Sequence, residues 1–139
     1  MESKSLKILA FLAFLGSAFV TSGQDNTLEE GLIRGEKLYN GKCAGCHKID
    51  GSGYIKDRLV PPLAKSDYLK SKENSIKAVS FGLTGKITVN GLEYDKSMPK
   101  IDWTNQEIAD VLNYIRNNWG NNHDIIQPEE VELVRKKEG

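Results

Sequence analysis

Apolar positions recur at helical spacing in two segments that lie far apart in the chain. The first segment predicts a helix over residues 28–39, with apolar, small and aromatic positions broadly on one face: Leu28, Leu32, Ile33, Gly35 and Tyr39. Asn26 or Thr27 precedes this helix as a candidate N-cap. A glycine inside a helix costs about 1 kcal/mol relative to alanine. Close approach of a second helix would explain Gly35, and a tolerated surface glycine is the alternative.

The second segment predicts a helix over residues 104–119. Thr104-Asn105-Gln106-Glu107 is a capping box, in which a hydroxyl and a carboxylate satisfy exposed backbone N–H groups. Apolar residues then follow at helical spacing, namely Ile108, Val111, Leu112 and Ile115, with Tyr114 and Trp119 on flanking positions. Gly120 supplies the end of the helix. This helix is the candidate partner that packs against Gly35.

The chain between these helices predicts shorter elements. A helix is expected over 73–81, ending at Gly82. Asn90-Gly91 between the β-prone triplets 87–89 and 92–94 is a strong hairpin signal. Residues 50–54 form a glycine-rich loop, followed by the extended segment Val60-Pro61-Pro62-Leu63. Residues 121–139 are polar and charged, with a possible helix start at Pro128, and we expect a frayed or loosely docked extension.

Composition changes this picture at the amino terminus. Lys4 and Lys7 precede an apolar run from Ile8 to Val20, and small residues follow at positions 21–23, a pattern typical of a secretory signal peptide. An uncleaved membrane anchor is the alternative, but spanning a bilayer takes about 20 apolar residues and this run is shorter. We therefore expect residues 1–23 to be a signal peptide, 24–120 a domain and 121–139 its extension, in the periplasm.

Charge excludes one class of partner. The 139 residues carry 19 basic and 19 acidic side chains, so no strong field favours nucleic acid. Without residues 1–23 the net charge is −1, and no further segment would insert into a membrane.

The two cysteines lie in Cys43-Ala44-Gly45-Cys46-His47, which we call the haem motif because C-x-x-C-H is the pattern of c-type haem attachment. Two thiols add to the two vinyl groups of one haem, and the histidine ligates its iron. Three alternatives compete. A redox-active cysteine pair usually lies in an α/β domain, and no such pattern surrounds this motif. Zinc needs four ligands, and His123 is the only other histidine. Chance occurrence is the third.

A haem iron held by His47 needs a ligand on its other face, and that ligand sets the chemistry. Met98 is the only methionine besides Met1, and it lies in a polar loop before Pro99, which is a poor place for a core-filling side chain. His123 is the rival, although its position suggests a solvated turn. A carbonyl of the Pro61-Pro62 segment could accept a hydrogen bond from the His47 ring. Histidine–methionine ligation suits electron transfer.

With these parts in this order, residues 31–120 resemble a bacterial class I cytochrome c. The matching positions are Gly35, Tyr39, Cys43, Cys46, His47, Pro61 (or Pro62), Met98 and Tyr114. The resemblance implies an all-α fold in which a few helices surround one haem, with the first and last helices crossing at nearly a right angle. The longer tail after Trp119 departs from the pattern. Trp103 is a candidate by position only for the tryptophan that contacts a haem propionate in some members.

Three functions remain open at this point. The first is a monomeric, non-enzymatic electron shuttle that docks briefly with a protein donor and acceptor through an exposed haem edge inside a mostly polar rim. The second is a haem c subunit of a larger oxidoreductase, such as a dehydrogenase, nitrite reductase or terminal oxidase. The third is an enzyme or gas sensor, which needs an open sixth position on the iron. Met98 argues against the third.

Overall fold

The computed structural model describes residues 27–138, so the predicted signal peptide and Asn26 lie outside the described residues. Helix α1 (Leu28–Leu38) begins at Thr27, whose hydroxyl accepts from the Glu30 N–H while the Glu30 carboxylate accepts from the Thr27 N–H. A π-helical turn (Tyr39–Cys43) and the short helix α2 (Ala44–His47) follow without a break. The haem motif is therefore built at the end of one continuous helical segment.

Helix α4 (Asn105–Arg116) packs across α1. The predicted capping box is present, because the Thr104 hydroxyl accepts from the Glu107 N–H and the Glu107 carboxylate accepts from the Thr104 N–H. A Cβ on Gly35 would lie 2.2 Å from the carbonyl oxygen of Asp110, so the two backbones meet at this glycine. The prediction that Gly35 marks a close helix approach is confirmed.

The buried face of α1 differs from the predicted one. Gly31, Gly35 and the adjoining Tyr39 are buried, whereas about half of the surface of Leu28 and Ile33 is exposed, 51% and 48%. Apolar periodicity was misleading here because α1 presents backbone, not large side chains, to α4. Asp110 of α4 then binds Arg34 of α1 through two hydrogen bonds, the shorter of 2.7 Å.

The middle of the chain follows the local predictions closely. A 3₁₀ turn (Asp67–Lys70) leads into α3 (Lys72–Phe81), which is capped by the Ser71 hydroxyl and ends at Gly82. Strands β1 (Ile87–Val89) and β2 (Leu92–Tyr94) pair antiparallel. Asn90 and Gly91 both have positive φ, 50° and 78°, as a two-residue type I′ turn requires.

The carboxyl-terminal segment is not frayed, contrary to expectation. Helix α5 (Pro128–Glu138) packs on α3 and α4 and buries Val131 and Val134. The Asn113 side chain bonds both the N–H and the carbonyl of the buried Ile126. Val131 and Val134, together with Ile126 just before the helix, thus pack α5 on the core. The outer face of α5 is polar and charged, and that face dominated the composition.

Polar contacts fix both ends of α5. Lys72 of α3 bonds Glu130 at 2.9 Å, and Lys77 of α3 bonds Glu138 at 2.6 Å. Arg135 donates to the Trp103 carbonyl at 3.0 Å, on the segment that enters α4. Helix α4 is therefore covered by α1 on one side and by α3 and α5 on the other. None of the helices within residues 27–138 has the length and apolar character needed to cross a membrane.

Candidate functional site

An apolar cavity opens between the haem motif and the core. It measures about 620 Å³ with the open solvent at its mouth included, and α3, the hairpin and α4 supply half of its lining residues. Cys43, His47 and Met98 face it together with aliphatic residues such as Val79 and Leu112. The chain thus keeps a largely apolar space beside its only Cys-x-x-Cys-His motif.

A second cavity of about 440 Å³ lies next to the same motif. Four residues line both spaces, namely His47, Leu83, Ile87 and Met98. Cys43 faces the first cavity only, and Cys46 faces the second. The two cavities therefore adjoin, with one cysteine at each and with His47 and Met98 common to both. We call the two adjoining cavities together the slot, and each of them a lobe.

His47 is buried, with 8% of its surface exposed, and its Nδ1 lies 3.2 Å from the carbonyl oxygen of Pro61. Since a carbonyl only accepts, Nδ1 carries the proton when this bond forms, which leaves the lone pair of Nε2 free to ligate a metal. Burial lowers the pKa of His47, and the bond to Pro61 opposes that shift only in part. The imidazole is therefore neutral, as a metal ligand must be.

Two hydrogen bonds hold the Met98 backbone beside α3. The Met98 N–H donates to the Leu83 carbonyl and the Leu83 N–H donates to the Met98 carbonyl, both at 2.9 Å. The Ile101 N–H then donates to the Val79 carbonyl at 3.0 Å. The Met98 side chain is thus carried by a fixed loop. It is half-buried, although the neighbouring residues of that loop are exposed.

Neither competing function of the two cysteines gains support from the structure. Burial, and then the charge of Cys46, raise the pKa of Cys43 to about 11, whereas redox-active pairs contain a thiol with a lowered pKa. The two cysteines form no disulfide with each other. Within the part of the chain that the structure describes, no group of three or more His, Cys, Asp or Glu side chains could hold a metal ion such as zinc.

Other candidate residues lie away from this slot. His123 follows α4, where its N–H donates to the Asn117 side chain at 3.3 Å, and it lines neither lobe. Trp103 packs against the core, and Tyr114 stacks with Tyr39 and Trp119. Trp103 lines neither lobe, so the structure adds no support for a role near a propionate.

Two positioning glycines were not predicted from the sequence. Gly53 donates its N–H to the His47 carbonyl at 3.1 Å, and a Cβ there would lie 2.6 Å from the Pro61 oxygen. A Cβ on Gly82 would lie 2.5 Å from the Met98 oxygen. Both have positive φ. Their only sequence signal was their place in a glycine-rich loop and at a helix end.

The residues of the slot fit a haem c. The lining is apolar enough for a porphyrin, two thiols lie at its lobes for thioether bonds, and a neutral imidazole and a thioether sulfur share the space between them. The sequence-predicted residues Cys43, Cys46, His47 and Met98 are brought together here, and Pro61 supplies the carbonyl beside His47. Of the two prolines considered, Pro61 is the one whose carbonyl lies within hydrogen-bond distance of the His47 ring.

Comparison with known proteins gives consistent matches. The family model described as Cytochrome c matches residues 32–119. The chain is 34% identical over 114 residues to cytochrome c-552 of Thermus thermophilus, covering 74% of this chain and 85% of that protein. It is also 32% identical over 108 residues to the gluconate 2-dehydrogenase cytochrome c subunit of Pantoea cypripedii, covering 70% of this chain.

A further relative is the cytochrome c subunit of the quinone-type alcohol dehydrogenase of Gluconobacter oxydans, 37% identical over 92 residues and 63% of this chain. The chain spans 24% of the gluconate dehydrogenase subunit and 19% of the alcohol dehydrogenase subunit. It therefore corresponds to one portion of each of those longer proteins, but to most of cytochrome c-552.

Proposed function

This chain belongs to the cytochrome c family and is an electron-transfer protein with covalent haem c, and we propose that Cys43, Cys46, His47 and Met98 hold that haem. The observation that carries the proposal is the shared slot: His47 and Met98 line both of its lobes, and each cysteine lines one. The predicted all-α fold with a short hairpin is confirmed.

Each residue of the slot has a separate task in this proposal. The haem supplies a one-electron couple between ferric and ferrous iron. The Pro61 carbonyl orients the His47 ring, and the backbone pairing with Leu83 holds Met98 at the slot. Methionine ligation and an apolar lining both favour the ferrous form, which carries less charge, and so raise the reduction potential. Because His47 and Met98 would both ligate the iron, no position on it would remain for a substrate, and the chain would act as a carrier.

The surface beside Cys46 is a candidate contact for redox partners. Ile49, Ile55 and Leu59 follow the haem motif and are exposed, Ile49 with 73% of its surface. Leu59 lines the same lobe of the slot as Cys46. We name these three residues the apolar face. Charged residues of the same loop, Lys56, Asp57 and Arg58, are exposed between Ile55 and Leu59. A surface of this mixed character suits a small, short-lived contact with a partner.

Two further parts of the proposal concern the location of the protein and the class of its partners. The pattern of residues 1–23 supports export to the periplasm, and amino-terminal sequencing of the protein from a periplasmic extract should begin at Gln24. An amino terminus at Met1 in the purified protein would contradict cleavage. The balanced charge of the mature chain supports protein partners over nucleic acid.

A visible spectrum tests the ligand assignment. The ferric protein should show the weak band near the red edge that methionine–iron bonding produces. Met98→Ala should abolish this band and allow added imidazole to bind the iron. His123→Ala removes the other candidate ligand and serves as the matched control, so its spectrum should equal that of the wild type. A wild-type spectrum without the band, or a band lost in His123→Ala, contradicts the assignment.

The second candidate function is a haem c subunit of a larger oxidoreductase. The similarity to two dehydrogenase cytochrome c subunits favours it. The native mass of the protein extracted from its own cells separates the two candidates. Elution as a monomer supports the carrier, and stoichiometric elution with one oxidoreductase supports the subunit.

A further inference from the structure

The residue after the proposed iron ligand has a backbone conformation that L-amino acids rarely adopt. Lys48 follows His47 and has φ 62° and ψ 159°. This region is populated almost only by glycine, and another residue remains there only where surrounding contacts enforce it. The position is exposed and carries no buried side chain that would explain the strain.

The enforcing contacts converge on the carbonyls of His47 and Lys48. The Tyr39 hydroxyl donates to the Lys48 carbonyl at 2.5 Å, and the Gly51 N–H donates to the same oxygen at 3.1 Å. The His47 carbonyl accepts from the Gly53 N–H at 3.1 Å. Of these donors only Tyr39 belongs to the helical segment that precedes the motif.

Tyr39 is a rigid donor. It is fully buried, and its ring packs against Trp119 and Tyr114 with centroids 4.8 Å and 5.7 Å away. Burial raises the pKa of Tyr39, so the hydroxyl stays protonated and donates. The ring packing does not need the hydroxyl, and a phenylalanine would preserve it.

We propose that Tyr39 is a positioning residue for His47: its hydroxyl holds the Lys48 peptide in the strained conformation and thereby fixes the direction of the imidazole. Without that bond, Lys48 relaxes toward negative φ. The Lys48 carbonyl then keeps only its bond from the Gly51 N–H, and the His47 carbonyl keeps only its bond from the Gly53 N–H. The movement therefore includes the His47–Lys48 peptide, which carries the imidazole. The imidazole then turns relative to the Pro61 carbonyl. This inference rests on the proposed function, in which His47 ligates the iron.

Tyr39→Phe in the haem-loaded protein tests the proposal. Proton NMR of the ferric form reports the orientation of the axial imidazole through the hyperfine-shifted haem methyl resonances, and potentiometry reports the reduction potential. We expect Tyr39→Phe to shift both. The matched control is Tyr114→Phe, which removes a hydroxyl from the same aromatic cluster without touching the Lys48 carbonyl, and it should shift neither. Equal shifts in both variants would assign the effect to packing and overturn the proposal.

Lys48→Gly completes the test, because glycine adopts this conformation without strain. In a Lys48→Gly background, Tyr39→Phe should shift the resonances and the potential far less than it does in the wild type. An undiminished shift, or a Tyr39→Phe protein that differs from the wild type only in stability, overturns the proposal.

The methionine band distinguishes a failure of the positioning role of Tyr39 from a failure of the proposed ligand set. If the wild type shows the band and Tyr39→Phe has wild-type resonances, only the positioning role fails. If the wild type lacks the band, the ligand set itself is wrong.

Discussion

Gly53 and Gly82 show how single residues determine the geometry of the slot. Each has positive φ, and each adjoins a carbonyl oxygen that a Cβ would contact at 2.6 Å or less. For Gly53 that oxygen belongs to Pro61, the partner of the His47 ring, and for Gly82 it belongs to Met98 itself. Gly53 therefore leaves room for the Pro61 carbonyl beside His47, and Gly82 leaves room for the Met98 carbonyl.

Gly82→Ala should weaken Met98 ligation. The new Cβ would press on the Met98 carbonyl, and the positive φ adds strain of about 1–3 kcal/mol. We expect a lower melting temperature together with partial loss of the methionine band.

Gly85→Ala is the matched control for this prediction. Gly85 also has positive φ, 83°, but nothing lies within 4 Å of a Cβ built there. This variant should lose stability and keep the full band. A Gly82→Ala protein with an intact band would show that the loop adjusts without moving its methionine.

The haem ligands stay a prediction, although the structure places the residues selected from the sequence close together. The spacing of Cys43, Cys46 and His47 and the isolation of Met98 in a polar loop were sufficient to select residues that the fold brings to one slot. The conformation of Lys48 and the contacts of Gly53 and Gly82 could not be predicted from the sequence. They depend on which backbone segment, distant in the sequence, packs against each residue, and no local pattern encodes that.

At the level of elements, the cap of α4 makes stability depend on pH. The Thr104 backbone N–H and hydroxyl both donate to the Glu107 carboxylate, which holds the pKa of Glu107 below its usual value of 4.5. A carboxyl whose pKa is lower in the folded than in the unfolded protein stabilises the fold at pH values above its unfolded-state pKa. This stabilisation is lost as the pH falls through the folded-state pKa.

Glu107→Gln should be less stable than the wild type by about 0.5–1 kcal/mol near neutral pH, because the amide accepts the same bonds without charge. The difference should shrink once the pH falls below about 4.5. Denaturant unfolding across this range measures it. Glu36→Gln, an exposed substitution inside α1, should show a smaller difference at every pH, and equal pH profiles would exclude a role of the cap.

Docking of α5 predicts a contrast between two of its apolar residues. Val131 is fully buried, whereas Leu133 is 60% exposed. Val131→Ala should lower the free energy of unfolding by about 2 kcal/mol through lost burial and a small cavity. Leu133→Ala should change it by no more than about 0.5 kcal/mol. Equal effects in denaturant unfolding would mean that α5 does not pack on the core in solution.

Elements were predictable where their signals are local. The capping box of α4 and the Asn-Gly turn of the hairpin are short patterns with a direct backbone meaning, and both are present. The docking of α5 was predicted wrongly, and the buried face of α1 was predicted only in part, since Gly35 and Tyr39 are buried but Leu28 and Ile33 are exposed. The docking of α5 depends on Val131 and Val134 meeting a surface formed by two other helices, and the buried face of α1 depends on backbone contact at Gly31 and Gly35.

At the scale of the whole molecule, we predict that two copies exchange electrons while they are in contact through the apolar face. Electron self-exchange between ferric and ferrous copies needs no foreign partner, and line broadening in proton NMR measures its rate. Ile49→Ser should slow it about fivefold if the face is buried in the encounter, since losing partial burial of this side chain costs about 1 kcal/mol.

Leu133→Ser is the control for this prediction, because it changes an apolar residue on α5 that is also mostly exposed, with 60% of its surface against 73% for Ile49. It should leave the self-exchange rate unchanged. Equal slowing by both substitutions would mean that surface hydrophobicity in general, and not the apolar face, governs the encounter.

The pairing of α1 with α4 also orders events in time. Arg34 and Asp110, which bond across this pair, are 76 positions apart. A chain that is synthesised or exported amino terminus first therefore carries α1 and the haem motif before α4 is available. Until α4 follows, Tyr39 has no helix surface against which to bury, and Cys43 is not yet enclosed. Thioether formation therefore meets the least steric resistance before the chain folds, and closure of α4 over α1 then seals a cofactor that is already attached.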